Sequence, residues 1–267
     1  MEIENLRCGK NVLKMCKYAD IVFIALHGGI GENGQLQAMF ELMGIKYTGS
    51  GYKASMIAMD KILTKKVLKE ANIMVPKAFY INSRIDNFSG PWKNLRQKHM
   101  VKPSGEGSSV GMRIVRTHDE LVEAVYEAEK FDENILIEEY IHGREFSVGI
   151  LGGKALSPIE IKPKDEFFDY KNKYQKGMAE EICPVDLPSE KIKELKKIAL
   201  KVHKELGLKD YSRIDFLFDG RYFYCLEANT LPGMTPNSLL PKEAAVDKIN
   251  YEELCERIVQ MGLEKEE

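Results

Sequence analysis

At residues 98–116 the chain reads KHMVKPSGEGSSVGMRIVR. Its middle, VKPSGEGSSVG (101–111), has the glycines and serines of a phosphate-cradling loop. It lacks the Gly-Lys-Ser/Thr ending of a Walker A loop, and its lysine, Lys102, precedes the glycines. The flanks, 98–103 and 111–116, both read as strands. The loop therefore joins two strands, not a strand to a helix. Two readings stand at this point: a nucleotide site of another kind, or a flexible turn.

Upstream, ADIVFIALHGG (19–29) is a continuous apolar run ending in glycines, the pattern of a strand buried on both faces. The cluster Val12, Leu13, Met15 and Cys16 before it predicts a helix. NGQLQAMFELMG (33–44) predicts another, closed by Gly44. A short strand and turn, IKYTGSG, follow. DKILTKKVLKEAN (60–72) reads as a helix, and NIMVPKAFYI leads into a strand.

Downstream, residues 117–131 have helical spacing. ILIEEYI, EFSVGILGG and KALSPIEI read as strands with glycine turns. Residues 164–177, KDEFFDYKNKYQKG, form a polar, aromatic loop; loops this long are usually functional or disordered. PSEKIKELKKIALKVHKELG (188–207) is the clearest helix, with Ile192, Leu195, Ile198, Ala199, Val202 and Leu206 on one face. RIDFLF and YFYCLEAN form a hairpin around the DGR turn (219–221). A final helix, NYEELCERIVQMG, carries Asn250 and Glu253 as a capping box.

The bulk numbers fit this picture. A chain of 267 residues suggests two domains or three small ones. Apolar content of 44%, charged content of 30% and a net charge of -2 describe a soluble globular protein, with no reason to expect nucleic acid or a membrane as partner. No apolar run approaches the roughly 20 residues of a membrane helix, and the polar start has no signal-peptide core. Five scattered cysteines, without a Cys-x-x-Cys pair, argue against a disulfide framework or zinc site and for a reducing cytoplasm.

Several clusters carry chemistry. Glu227 and Asn229 lie two apart on one hairpin strand and share a face, and Asp215 on the other strand can reach it. Two carboxylates and an amide oxygen suit Mg²⁺; a solvated strand edge is the plainer alternative. Glu138, Glu139 and Glu145 surround a strand-to-strand connection, where an edge could read an adenine and a carboxylate could hold ribose, or where they form only a surface charge cluster. KNKY (171–174) offers Lys173 and Tyr174 on the long loop. HGGIGENG (27–34) and NTLPGMTPNSLL (229–240) are either ordinary turns or anion sites built from backbone N–H groups.

In order and spacing, HGGIGENGQLQ, YTGSG, MDK, VKPSGEGSSVG, RIDF and LEANTLPGMTPNSL resemble the D-alanine–D-alanine ligase family of the ATP-grasp superfamily, from about residue 19 to the C-terminus. The resemblance implies an α/β (α+β) ATP-grasp fold with a truncated N-terminal α/β (pre-ATP-grasp) domain. The divisions would be residues 1–49, a central subdomain 50–138 with the glycine-rich loop, and a C-terminal subdomain 139–267 with the metal site. It implies ATP, Mg²⁺ or Mn²⁺ (two ions) and D-alanine. Lys61 and Lys102 would neutralise phosphates. Glu138, Glu139 and Ile141 would lie at the adenine, Glu145 at the ribose, and Phe167 near the base. Asp215, Glu227 and Asn229 would be the metal ligands. Arg213 and the Gly233 backbone would stabilise an oxyanion. Ser238 and Leu239 would hold the acceptor's carboxylate, Ser108, Lys173 and Tyr174 would order the substrate side, and His27 would sit near the first amino acid.

The implied reaction forms an acyl phosphate on one D-alanine, which the amine of a second then attacks. The family's opening Gly-Gly-x-Ser-x-Glu segment, whose glutamate binds the first ammonium, has no counterpart here. Gly28, Gly29 and Glu32 belong to the later HGG motif. The expectation is therefore an exposed sheet edge, which makes a homodimer one outcome, and a chain that binds Mg-ATP but ligates poorly. Ligation to a different acceptor and an inactive ATP-binding scaffold are the alternatives.

Overall fold

The computed structural model describes residues 10–83, 97–105, 111–163 and 179–265. Two antiparallel sheets organise them. The first has the order β1 (Ala78–Asn82), β4 (Asn134–Glu139), β2 (His99–Pro103), β3 (Arg113–Val115). Period-two alternation divides its faces. Val101, Ile135 and Ile137 are buried together with Leu121, Ala124, Val125 and Ala128 of α6 (His118–Ala128). Met100, Lys102, Leu136 and Glu138 have the opposite parity. Helix α6 begins with a complete capping box, Thr117 with Glu120. As expected, β2 and β3 flank the glycine-rich loop and pair with each other.

The second sheet has the order β10 (Phe223–Asn229), β9 (Tyr211–Phe218), β5 (Arg144–Leu151), β7 (Ile159–Pro163), β8 (Ala179–Ile182), with β6 (Lys154–Ala155) beside β5. Phe146, Val148, Ile150, Ile214, Phe216 and Cys225 share a core with α7 (Ser189–Glu205) and with residues of α4 (Tyr52–Met59) and α5 (Lys61–Glu70). The predicted face of α7 supplies that core: Leu195, Ala199, Val202 and Leu206 are buried, and Ile192 and Ile198 pack against them. Residues of intervening parity, Ser147, Gly149, Arg213 and Asp215, face the other way.

The first helix, α1, spans Lys10–Tyr18, and α3 spans Gln35–Leu42. Between them ADIVFIALHGG is not a strand. It forms one parallel bridge, Val22 to Tyr47, with Val22 N–H donating to the Lys46 carbonyl at 2.9 Å. Among the described residues it has no second neighbour, and a ladder needs more than one rung. Ile24 is still buried, in a cluster with Phe40, Tyr47 and Leu240.

The turn segment around 229–240 runs into α8 (Leu239–Val246), with Pro241 inside the first turn, where a missing N–H costs nothing. The last helix, α9 (Tyr251–Leu263), is capped by the Asn250 side chain, which accepts from Glu253 N–H at 2.9 Å. The return half of the expected box is replaced: Glu253 pairs with Arg257.

Candidate active site

Helix α5 starts with Asp60 as N-cap, accepting from the N–H groups of Ile62 and Leu63. Ser104, at the end of β2, donates to Asp60 at 2.8 Å. Its carbonyl accepts from Lys61 N–H. The helix start is thus fastened to the mouth of the glycine-rich loop. Lys61 and Lys65, four apart, share one helix face, and both are buried.

The Lys65 ammonium pairs with Glu138, and the Lys102 ammonium pairs with the other oxygen of that carboxylate at 2.6 Å. The register explains the second contact. Met100 is opposite Glu138, so Lys102 is its diagonal neighbour on the same face. Burial opposes charge on Glu138, but the two ammonium groups prevail and hold its pKa down to about 2. Burial, with the like charge of Lys102, pushes Lys65 below the ordinary lysine value despite the pull of Glu138. The carboxylate stays ionised between them.

Lys102 and Glu138 line a cleft of about 570 Å³ between the two sheets. Glu139, Tyr140, Ile141, Glu145 and Leu217 also face it. Four of the expected nucleotide residues besides Lys102 therefore converge there: Glu138, Glu139, Ile141 and Glu145. Glu139 is also tied back, its carboxylate accepting from Lys77 N–H at 2.8 Å. Apolar walls with a few convergent polar groups are the ordinary constitution of a small-molecule pocket.

Glu145 pairs with Leu217, so its alternation leads along β5 to Ser147 and Gly149 and across to Asp215 and Arg213. On the far strand Glu227 is opposite Asp215, and Asn229 is opposite Arg213. The expected metal residues thus share one face with Arg213. Asp215 is 5% exposed. It accepts from Ser147 Oγ at 2.8 Å, from Asn229 Nδ2 at 3.1 Å, and from Arg213 Nε and Nη2 at 3.0 and 2.9 Å. The set fits a hard cation in kind: two carboxylates and an amide oxygen. Arg213 holds both oxygens of Asp215, so a cation there would displace the guanidinium.

At the other end, Ser238 Oγ accepts from Thr235 N–H at 3.1 Å and bonds the Thr235 hydroxyl. Gly233 lies against it: a Cβ at 233 would come 2.6 Å from Ser238 Oγ and 3.9 Å from His27 Nε2. His27, Gly233, Ser238 and the start of α8 at Leu239 are therefore neighbours. Glu32 has a local task. Its carboxylate accepts from Gly28 N–H at 3.0 Å and Leu231 N–H at 3.3 Å, tying the HGG loop to this turn.

Ser108, Phe167, Lys173 and Tyr174 lie outside the described residues. Three contributors were missed from sequence. Ser147 had a signal, the Glu145-x-Ser147-x-Gly149 alternation. Lys65 read as one of several helix lysines. Glu243 of α8 is fully buried and sits on Gly149, where a Cβ would meet its Oε2.

Two family descriptions match the chain: D-ala D-ala ligase N-terminus over residues 3–50 and D-ala D-ala ligase C-terminus over residues 71–260. The likeness thus begins upstream of residue 19. The chain is 43% identical to the D-alanine–D-alanine ligase of Pediococcus pentosaceus, covering 99% of this chain and 77% of that one. It is 45% identical to the one of Geotalea uraniireducens, covering 91% and 78%. Among solved structures, the D-alanine–D-alanine ligase of Bacillus anthracis complexed with ATP superposes with a TM-score of 0.85 at 33% identity, over 95% of this chain and 82% of that one. The ligase of Coxiella burnetii superposes with a TM-score of 0.80 at 29% identity, over 92% and 68%.

Proposed function

The chain belongs to the D-alanine–D-alanine ligase family, and from that premise we propose how its own residues carry out the ATP-dependent joining of two D-alanines, a step of peptidoglycan precursor synthesis. The observation that carries the reading is the continuous polar face from the cleft at Glu145 to Asp215, Glu227 and Asn229.

The nucleotide base would lie in the cleft against Glu138, Glu139 and Ile141, with Glu145 at the ribose. Lys61 and Lys102 would meet the phosphates. Phosphoryl transfer asks for positioning and charge neutralisation more than covalent help. Mg²⁺, or Mn²⁺, held by Asp215, Glu227 and Asn229, would supply charge opposite the transferred group. Arg213, released from Asp215, would then be available to an oxyanion, together with the Gly233 N–H. His27 would stand by the first D-alanine. Ser238 and the first N–H groups of α8 at Leu239 would take the second carboxylate. Ser108, Lys173 and Tyr174 complete the substrate side, and Phe167 the base side, by the family pattern alone. An acyl phosphate formed on the first D-alanine requires exclusion of water, the task assigned to residues 164–177.

The divisions at 49/50 and 138/139 are proposed with it, as is a cytoplasmic location. No helix among the described residues is long and apolar enough to cross a membrane. The test is ADP release that requires both D-alanine and a divalent cation, with the product identified by mass. ADP release unaffected by D-alanine would refute the reading.

A further inference from the structure

The Lys65–Glu138–Lys102 cluster has one carboxylate and two ammonium groups, all nearly excluded from water. A single buried pair needs one cation. Removing one partner from such a pair is strongly destabilising, because the remaining charge is buried and uncompensated. For Glu138 itself a second cation is therefore more than a static pair requires. It becomes necessary if one of the two leaves.

The placement says which one. Lys102 lines the cleft together with Glu138, whereas Lys65 is not among its walls. Lys65 approaches the carboxylate from α5 and is 1% exposed. Lys102 also stands one residue before the start of the glycine-rich loop segment PSGEG. It is thus the ammonium with a route into the cleft.

Resting on the nucleotide reading above, we infer that Lys65 is a positioning residue for nucleotide binding: it keeps the Glu138 carboxylate paired when Lys102 turns its ammonium from Glu138 to the polyphosphate. No bond is made or broken; one ion pair is exchanged for another, and Glu138 is never left alone. Without Lys65, Lys102 would be the sole partner of a buried carboxylate and would be held there. The triphosphate would lose its contribution to affinity, while the adenosine moiety would keep its own.

The experiment compares dissociation constants of the full chain for adenosine and for the non-hydrolysable β,γ-imido analogue of ATP with Mg²⁺, by calorimetry. Lys65→Met retains the one-to-one Lys102–Glu138 pair and is expected to fold. It should lower the preference for the analogue over adenosine at least tenfold, with adenosine affinity nearly unchanged. Lys65→Met/Glu138→Gln removes the carboxylate that traps Lys102. It should restore the preference to that of Glu138→Gln alone, whatever the amide does to the base. An unchanged preference in Lys65→Met overturns the inference. Equal weakening of both ligands also overturns it, since that marks a merely structural lysine. Absence of any preference in the unmodified protein would instead refute the nucleotide reading itself.

Discussion

Glu227 stands directly across the hairpin from Asp215 because the ladder shifts register at Leu226. Cys225 is opposite Phe216, so an unbroken ladder would set Leu226 against Asp215 and Glu227 against Ile214. Ile214 belongs to the core under α7. One extra residue reverses the parity and brings the carboxylate to the polar face.

Deleting Leu226 is therefore expected to leave an unbroken ladder in which Glu227 follows Cys225 and still faces Asp215. Glu227→Gln keeps the register at a half-buried position and should change stability by no more than about 0.5 kcal/mol. It should lose Mg-dependent ADP release, by on the order of a hundredfold. Thermal unfolding checks that its fold is kept, and undiminished turnover in Glu227→Gln would remove it from the metal set.

That register shift marks where sequence reading runs out. Alternation in RIDFLF and YFYCLEAN identifies the strands, and the DGR turn joins them, but nothing in YFYCLEAN announces the bulge. The expectation that Asp215 reaches the face of Glu227 and Asn229 agrees with the observed register, although simple counting from the turn would have paired Glu227 with Ile214. Local signals worked where one short-range force dominates: the apolar stripe of α7 and the Asn250 cap of α9. They failed where a distant partner decides. ADIVFIALHGG has the composition of a strand but, among the described residues, only Tyr47 to bridge to. The prolines of LPGMTPNSLLP concealed α8, because Pro241 falls in a first turn. Lys65 is an ordinary helix lysine until β4 places Glu138 beside it.

The second prediction concerns the acceptor end. Ser238 Oγ organises the turn through Thr235 and lies beside Gly233. If it also holds the acceptor carboxylate, Ser238→Ala should raise KM for D-alanine by on the order of tenfold, the worth of one hydrogen bond to a charged group. The kcat at saturating D-alanine should change little, since that contact is made equally in ground and transition states. Thr235→Val removes the turn partner and serves as the control. If both variants raise KM alike, Ser238 acts only through the turn.

The third is a pH dependence of stability. His203 on α7 is 8% exposed and its Nδ1 lies 2.8 Å from Ser212 Oγ. Burial lowers its pKa from 6.5 to about 4, against a weaker pull from Asp210. The unfolded chain thus takes up the proton first. Stability is complete above pH 6.5 and is lost as pH falls toward 4, by about 2–3 kcal/mol. His203→Asn, which preserves a polar atom for Ser212 and cannot titrate, should flatten this limb in urea unfolding between pH 7 and 4. An unaltered slope would assign the loss to other groups.

The last prediction concerns Glu243. It is fully buried on α8 and lies on Gly149. Burial raises its pKa well above 4.5, and the Arg213 charge and a hydrogen bond from the Gly149 backbone oppose this only in part. The native state therefore binds a proton that the unfolded state releases. The contribution is full below pH 4.5 and is lost as pH rises toward the folded value. Glu243→Leu removes both the titration and a buried polar group of similar size. It should be nearly neutral at pH 4.5 and stabilising at pH 8, by about 1–3 kcal/mol. That is a Tm rise of about 2–4 °C for each kcal/mol. The informative failure is a Glu243→Leu protein less stable than the parent at pH 8. The carboxyl would then be ionised and paired with the Arg213 guanidinium, and Arg213 would be shared between Glu243 and Asp215 before any cation arrives. A gap independent of pH would mean that the carboxyl never titrates in this range and that its burial is compensated by packing alone.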